Sequence, residues 1–269
     1  MYFTEKNESQ LLRCIQTIFM KKSMKIQFII IIALTSLSFP CKAQTSFAIN
    51  SSARVENYMY GELDIKVVPF GLGKEIIVGK ISSNGNILFN WPELDLSSIK
   101  NSAVFFQDIK STLLGMSFCE DGQIEENTED PKVVDTQFLY LYKNKKQVGV
   151  LFPATQIEMM DNEPANIYAD LTLGSSLSWF YSNSTCNFKA NCSEKREWEN
   201  KYDFTEERSY DIHLKEGWNI VQYTLVEKEN WKDENGPGNM EKIVLKKTVD
   251  KIPDNIKWHI KTFVKIPTD

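Results

Sequence analysis

Histidine is nearly absent from this chain: His213 and His259 are the two in 269 residues. There is no HExxH motif, which excludes a zinc protease of that class. There is no GxSxG elbow either; Gly174-Ser-Ser-Leu-Ser178 lacks the second glycine and reads as a turn. Gly71-Leu-Gly-Lys74 lacks the Walker spacing, so it is no phosphate loop. No CxxC pair occurs, and no set of ligands has structural-zinc spacing. Basic runs are missing too, and the net charge is −5. An acidic chain without a basic run is a poor partner for nucleic acid or an anionic membrane. Beyond residue 43 no apolar run approaches the roughly 20 residues that a spanning helix needs. The sequence therefore names no catalytic, cofactor-binding or metal-binding residue.

What is there begins with an export segment. Lys21, Lys22 and Lys25 precede the apolar run FIIIIALTSLSF at residues 28–39. Twelve helical residues span about 18 Å, too short for a bilayer core of about 30 Å. Basic start, apolar run and small-residue exit make a secretory signal peptide over residues 20–43. Cleavage after Ala43 leaves Gln44 first. A lipoprotein signal would instead use Cys41, but Pro40 and bulky Phe39 stand where small residues are wanted. Met20 and Met24 each make a normal start, so residues 1–19 carry no fold argument. The expected destination is the periplasm, the outer-membrane surface or the medium, with no transmembrane anchor after cleavage.

Strand signals fill the rest. Leu63, Ile65 and Val67 alternate with Glu62, Asp64 and Lys66, the period of a half-buried strand. Residues 76–81 and 87–91 flank Asn84-Gly85, a hairpin signal for a two-residue type I′ turn. That register sets Ile81 opposite Leu88 and Val78 opposite Trp91, with apolar residues on both faces. Residues 103–109 read as a strand, and the acidic stretch 120–130 as an exposed loop. Residues 138–142 and 147–152 form a second hairpin with the basic tip Lys143-Asn-Lys-Lys146. Residues 167–173 and 177–181 are further strands. Tyr210, Ile212 and Leu214 alternate with Asp211 and His213, then Lys215-Glu-Gly217 suits a three-residue hairpin loop into residues 218–226. Closely spaced strands without a long helix predict an all-β, antiparallel fold, one or more β-sandwiches of immunoglobulin-like or jelly-roll-like type. The acidic loop divides the expected modules, 44–130 and 131–269, although a single large sandwich also accommodates the pattern.

Three stretches resemble a loose group of exported, uncharacterised β-rich proteins of Gram-negative bacteria. They are GKISSNGNILFNWPEL (79–94), WFYSNSTCNFKANC (179–192) and DIHLKEGWN (211–219). In the last, Glu216 stands where that group has a second lysine. The resemblance implies a cell-envelope or secreted protein; it carries no catalytic residue and no substrate.

Export leaves three cysteines, Cys119, Cys186 and Cys192, an odd number. Residues 185–193 alternate cleanly, with Cys186, Phe188, Ala190 and Cys192 on one side. As a strand they set the two cysteine Cα atoms about 20 Å apart, whereas a disulfide tolerates at most ~7 Å. The alternative is a tight loop at residues 187–191 across which Cys186 and Cys192 bond; on the strand reading a bridge, if one forms, joins Cys119 to Cys186 or Cys192. Calcium would need ligands such as Asp121, Glu125, Glu126, Glu129 and Asp130, or Asp233, Glu234 and Asn235, but neither set follows an EF-hand series. His213 falls on the solvent phase of its strand. Trp231, just before the polar stretch 232–239, is the best candidate for an exposed ligand-binding aromatic. The sequence thus favours a non-enzymatic β protein that binds a protein or glycan ligand or serves structurally. The alternative is a secreted glycan-binding module or glycoside hydrolase.

Overall fold

The computed structural model describes residues 53–69, 74–94, 109, 112, 123–126, 133–136, 138–162, 168, 170–198, 202–233 and 236–264. The chain divides into two units, Met1–Thr45, which lies outside the described residues, and Ser46–Asp269. The export segment, Ala43 and Gln44 lie in the former.

The fold is all-β and dominated by antiparallel pairing, as the alternation predicts. Its strands are β1 (Leu63–Val67), β2 (Ile76–Ile81), β3 (Ile87–Phe89), β4 (Gln123–Glu126), β5 (Val133–Asp135), β6 (Leu139–Lys143), β7 (Lys146–Ala154), β8 (Gly174–Ser182), β9 (Cys186–Trp198), β10 (Tyr202–Leu214), β11 (Gly217–Asp233), β12 (Gly236–Val249) and β13 (Lys257–Thr262). A single 3-10 turn, Ile157–Asp161, interrupts them among the described residues. All thirteen belong to one sheet, ordered β3-β2-β1-β6-β7-β8-β11-β12-β10-β9-β4, with β13 on β7 and β5 on β8. Strands from both expected modules share this sheet, since β1 pairs with β6 and β4 with β9. The acidic stretch is therefore no module boundary.

The first half of the sheet closes on itself. From β3 the hydrogen-bonded neighbours run through β2, β1, β6 and β7 to β13. Residues 53–55 complete the circuit: Val55 bridges Trp258 of β13, and Arg54 bridges Asn86 beside β3. The Val55 N–H donates to Gly85 O at 3.0 Å, and the Ile87 N–H donates to Ala53 O at 2.9 Å. Inside lie the buried phases of β1 and β6, with Leu63, Ile65 and Leu141 essentially inaccessible. Trp91, Trp179, Trp218 and Trp258 join this core with Phe89. Trp91 stacks on Trp179 at 5.5 Å and meets Trp218 at 4.7 Å. Each such ring buries a large apolar area, and offset stacking adds about 0.5–1.5 kcal/mol per pair beyond burial.

The first hairpin departs from its expected register by one residue. Lys80 faces Leu88 and Ile81 faces Ile87. The Ser82 N–H donates to Asn86 O at 2.9 Å, so the loop is Ser83-Asn84-Gly85, with φ +86° at Gly85. Three loop residues with a left-handed glycine last make a type I turn plus bulge, not a type I′ turn. A β-carbon at Gly85 would lie 2.7 Å from Tyr58 Cβ, so neighbouring packing also requires glycine there. The second apolar face of this pair is not covered: Ile77 is 55% and Leu88 68% exposed. A type I′ geometry occurs instead at the second hairpin, where Asn144 and Lys145 have φ of +50° and +67° between paired Lys143 and Lys146.

Tertiary pairing overrides local signals elsewhere. Ile109 is helical, at the end of an expected strand. β4 lies inside the expected acidic loop, with Glu125 opposite Lys189 of β9 in register. Residues 170–173 carry no strand pairing. The turn at Lys215-Glu-Gly217 exists, with φ +96° at Gly217, but it does not make a hairpin. β12 lies between β10 and β11, parallel to β10 and antiparallel to β11. The two connecting residues pass over the end of β12. Asn219 holds that crossing by accepting the Lys215 N–H at 2.9 Å and donating to Lys215 O at 2.8 Å.

Candidate functional site

The expected site residues are scattered. Trp231 lies in β11 at 6% exposure, its ring edge-on to Tyr168 at 5.2 Å. It therefore offers no exposed platform, because it belongs to a strand and its ring is covered. His213 is exposed, as its phase requires, between Asn187 Oδ1 at 2.8 Å and Asp211 Oδ1 at 3.1 Å. β9 is the strand that the alternation predicts, so Cys186 and Cys192 cannot bond each other. Cys186 is buried. Cys192 is disulfide-bonded. Cys119 lies outside the described residues, as do Asp121, Glu129, Asp130, Glu234 and Asn235. No group of metal-ligating side chains occurs among the described residues.

The best-built polar constellation lies elsewhere, on one face of β10, β12 and β11. β10 presents Glu206, Arg208, Tyr210, Ile212 and Leu214 on a single phase, and its lower part is core: Tyr210, Ile212 and Leu214 are at most 2% exposed. Register sets Arg208 beside Val244 and Tyr210 beside Lys246 on β12, then Val244 beside Leu225 and Lys246 beside Tyr223 on β11. A polar band is thereby enclosed between two apolar clusters. One contains Phe188, Tyr210 and Val221. The other is Leu171, Leu225 and Val244, with Tyr223 packed against it.

Within the band Arg208 takes two carboxylates at once. Its Nε donates to Glu206 Oε1, and its Nη2 donates to Glu241 Oε2 at 2.7 Å. The Tyr223 hydroxyl donates to the second oxygen of Glu241. Glu206 and Glu241 are buried, which requires such compensation. Burial opposes the charge on Arg208, but the Glu241 and Glu206 carboxylates outweigh it and hold the guanidinium above its usual range. Burial, reinforced by Glu241, pushes the Tyr223 phenol up. Lys246 reaches over the Tyr210 ring, 5.8 Å from its centroid. Burial, and then the like charge of Arg208, push its amine down to about 8, partly offset by Glu241 and Asp135.

The sequence carries one signal for this cluster. Extending the buried phase of residues 210–214 back by two and four positions lands on Arg208 and Glu206, charges where apolar residues are due. Glu241 cannot be found that way. β12 reaches β10 through a parallel pairing, and register shifts on either side of Glu227 change its phase.

Comparison with known proteins adds no relative: no protein-family model, curated protein or solved structure matches this chain.

Proposed function

We propose that this is an exported β protein of the periplasm, outer-membrane surface or secreted fraction, acting by binding or as a structural component rather than by catalysis. The observation that carries the reading is the closure of the Arg208 cluster upon itself. Both oxygens of Glu241 are taken up within the sheet, by Arg208 and Tyr223. A general acid must lie within hydrogen-bond reach of its substrate, and this carboxylate is instead committed to Arg208 and Tyr223. The disulfide at Cys192 suits an oxidising compartment and agrees with the signal-peptide pattern of residues 20–43. No described helix is long and apolar enough to cross a membrane. Five of the six tryptophans, Trp91, Trp179, Trp218, Trp231 and Trp258, are buried and so offer no platform to a glycan.

Two measurements test the proposal. Expression of the full chain in a Gram-negative host, followed by intact mass of the exported product, is expected to show Gln44 as the first residue. A diacylglycerol mass on Cys41, or retention of residues 28–39, would overturn the processing. The purified exported protein is expected to leave chromogenic glycosides and soluble polysaccharides unhydrolysed. Turnover that disappears in Glu241→Gln would make it a glycoside hydrolase instead.

A further inference from the structure

We propose that residues 170–173 form a latch that opens separately from the sheet and, on opening, uncovers the Tyr223–Glu241–Arg208 network. These residues lie between the 3-10 turn and β8 and carry no ladder hydrogen bonds of their own. What holds them is a set of side chains on two sides. From the turn, Asn162 clamps Thr172, accepting its N–H at 2.7 Å and donating to its carbonyl at 2.9 Å. From the ribbon, Asn239 of β12 accepts the Leu171 N–H at 2.9 Å and donates to Asp170 Oδ1 at 3.3 Å. Lys228 of β11 donates to Asp170 Oδ1 at 2.6 Å and to Leu171 O at 2.7 Å.

Asn239 is buried at 7% exposure, and both ends of its amide face this one segment. Such an amide is costly to bury and is retained here by contacts to residues 170–171. Leu171 is the single apolar anchor, 2% exposed against Leu225 and Val244. Tyr223 packs on that same cluster and donates to Glu241, and Val244 lies beside Arg208 in register. Lifting Leu171 therefore strips cover from the residues next to the ionic network. The Asp170 end is weak by construction: its side chain is 90% exposed, so water and salt screen the Lys228 pair. A segment with few apolar contacts and side-chain-only anchors belongs to the low-stability end of local opening.

Nitration of the full exported protein by tetranitromethane, read by peptide mapping, tests this. Tyr223 is expected to react at least about fivefold faster in Lys228→Met and in Asn239→Ala than in the wild type. Tyr140, on β6, serves as the internal control and is expected not to change. Urea titrations accompany each variant, because Asn239→Ala also removes a buried amide. An unchanged Tyr223 rate in Lys228→Met, or an increase that merely follows the loss of global stability, would overturn the latch.

Discussion

Arg208 shows how one residue decides the fate of its neighbours. Glu206 and Glu241 are tolerated in the sheet because the guanidinium fork lies between them. Arg208→Met leaves two buried carboxylates without their cation and is expected to cost about 3–5 kcal/mol in urea unfolding. Adding Glu206→Gln and Glu241→Gln to that variant is expected to recover part of the loss, since no uncompensated charge then remains. Lys246 makes the opposite case. Its amine is depressed to about 8 in the folded protein, chiefly by burial. The unfolded chain therefore binds more protons than the folded one above pH 8, and stability rises with pH there. The rise is limited by the phenols of Tyr210 and Tyr223, which burial holds above their usual range and which oppose it from about pH 10 upward. Arg208, held above its usual range, keeps its charge throughout that window. The urea midpoint of the wild type is expected to climb between pH 8 and 10, and that of Lys246→Met to stay flat.

At the scale of the element, β9 settles the cysteine chemistry. Thirteen extended residues, Cys186–Trp198, pair along their length with β10, holding Cys186 opposite Leu214 and Cys192 opposite Arg208. The partner of Cys192 must come from another part of the chain. β4 runs antiparallel to β9 with Gln123 opposite Asn191, the residue before Cys192. Cys119 is four residues upstream of Gln123 and is the cysteine that remains after export. Peptide mapping without reductant is expected to show a Cys119–Cys192 crosslink; a Cys186–Cys192 crosslink would contradict the strand. The turns illustrate a different limit. Asn84-Gly85 and Lys143-Asn-Lys-Lys146 both announce hairpins, and both hairpins form. The turn type follows from φ at the central residues, which the flanking pairs impose, and a shift of one residue moves every partner.

For the whole molecule, the ring around the tryptophans is closed by opposite ends of the chain. Residues 53–55 and β13 meet at Val55 and Trp258. Removing residues 257–269 or residues 44–57 is expected to lower the thermal midpoint, with a red shift of tryptophan emission as Phe89, Trp91 and Trp179 become wet. Because each deletion opens the same ring, the double deletion is expected to lose much less than the sum of the two; full additivity would mean that the ends act independently. Here the division between sequence and fold is visible. The sequence by itself determined that this chain is all-β, where most strands lie and, for clean alternations such as Leu63, Ile65 and Val67, which phase is buried, because alternation is local and the water-avoiding face follows from it directly. Only the tertiary structure decided that β12 enters between β10 and β11, that β4 forms on β9, and that Glu241 meets Arg208. Those pairings join residues far apart in the chain, and many strands of similar length and polarity could have taken each place. Packing of the tryptophan core and satisfaction of every ladder edge choose among them, and neither quantity can be read from residues next to one another.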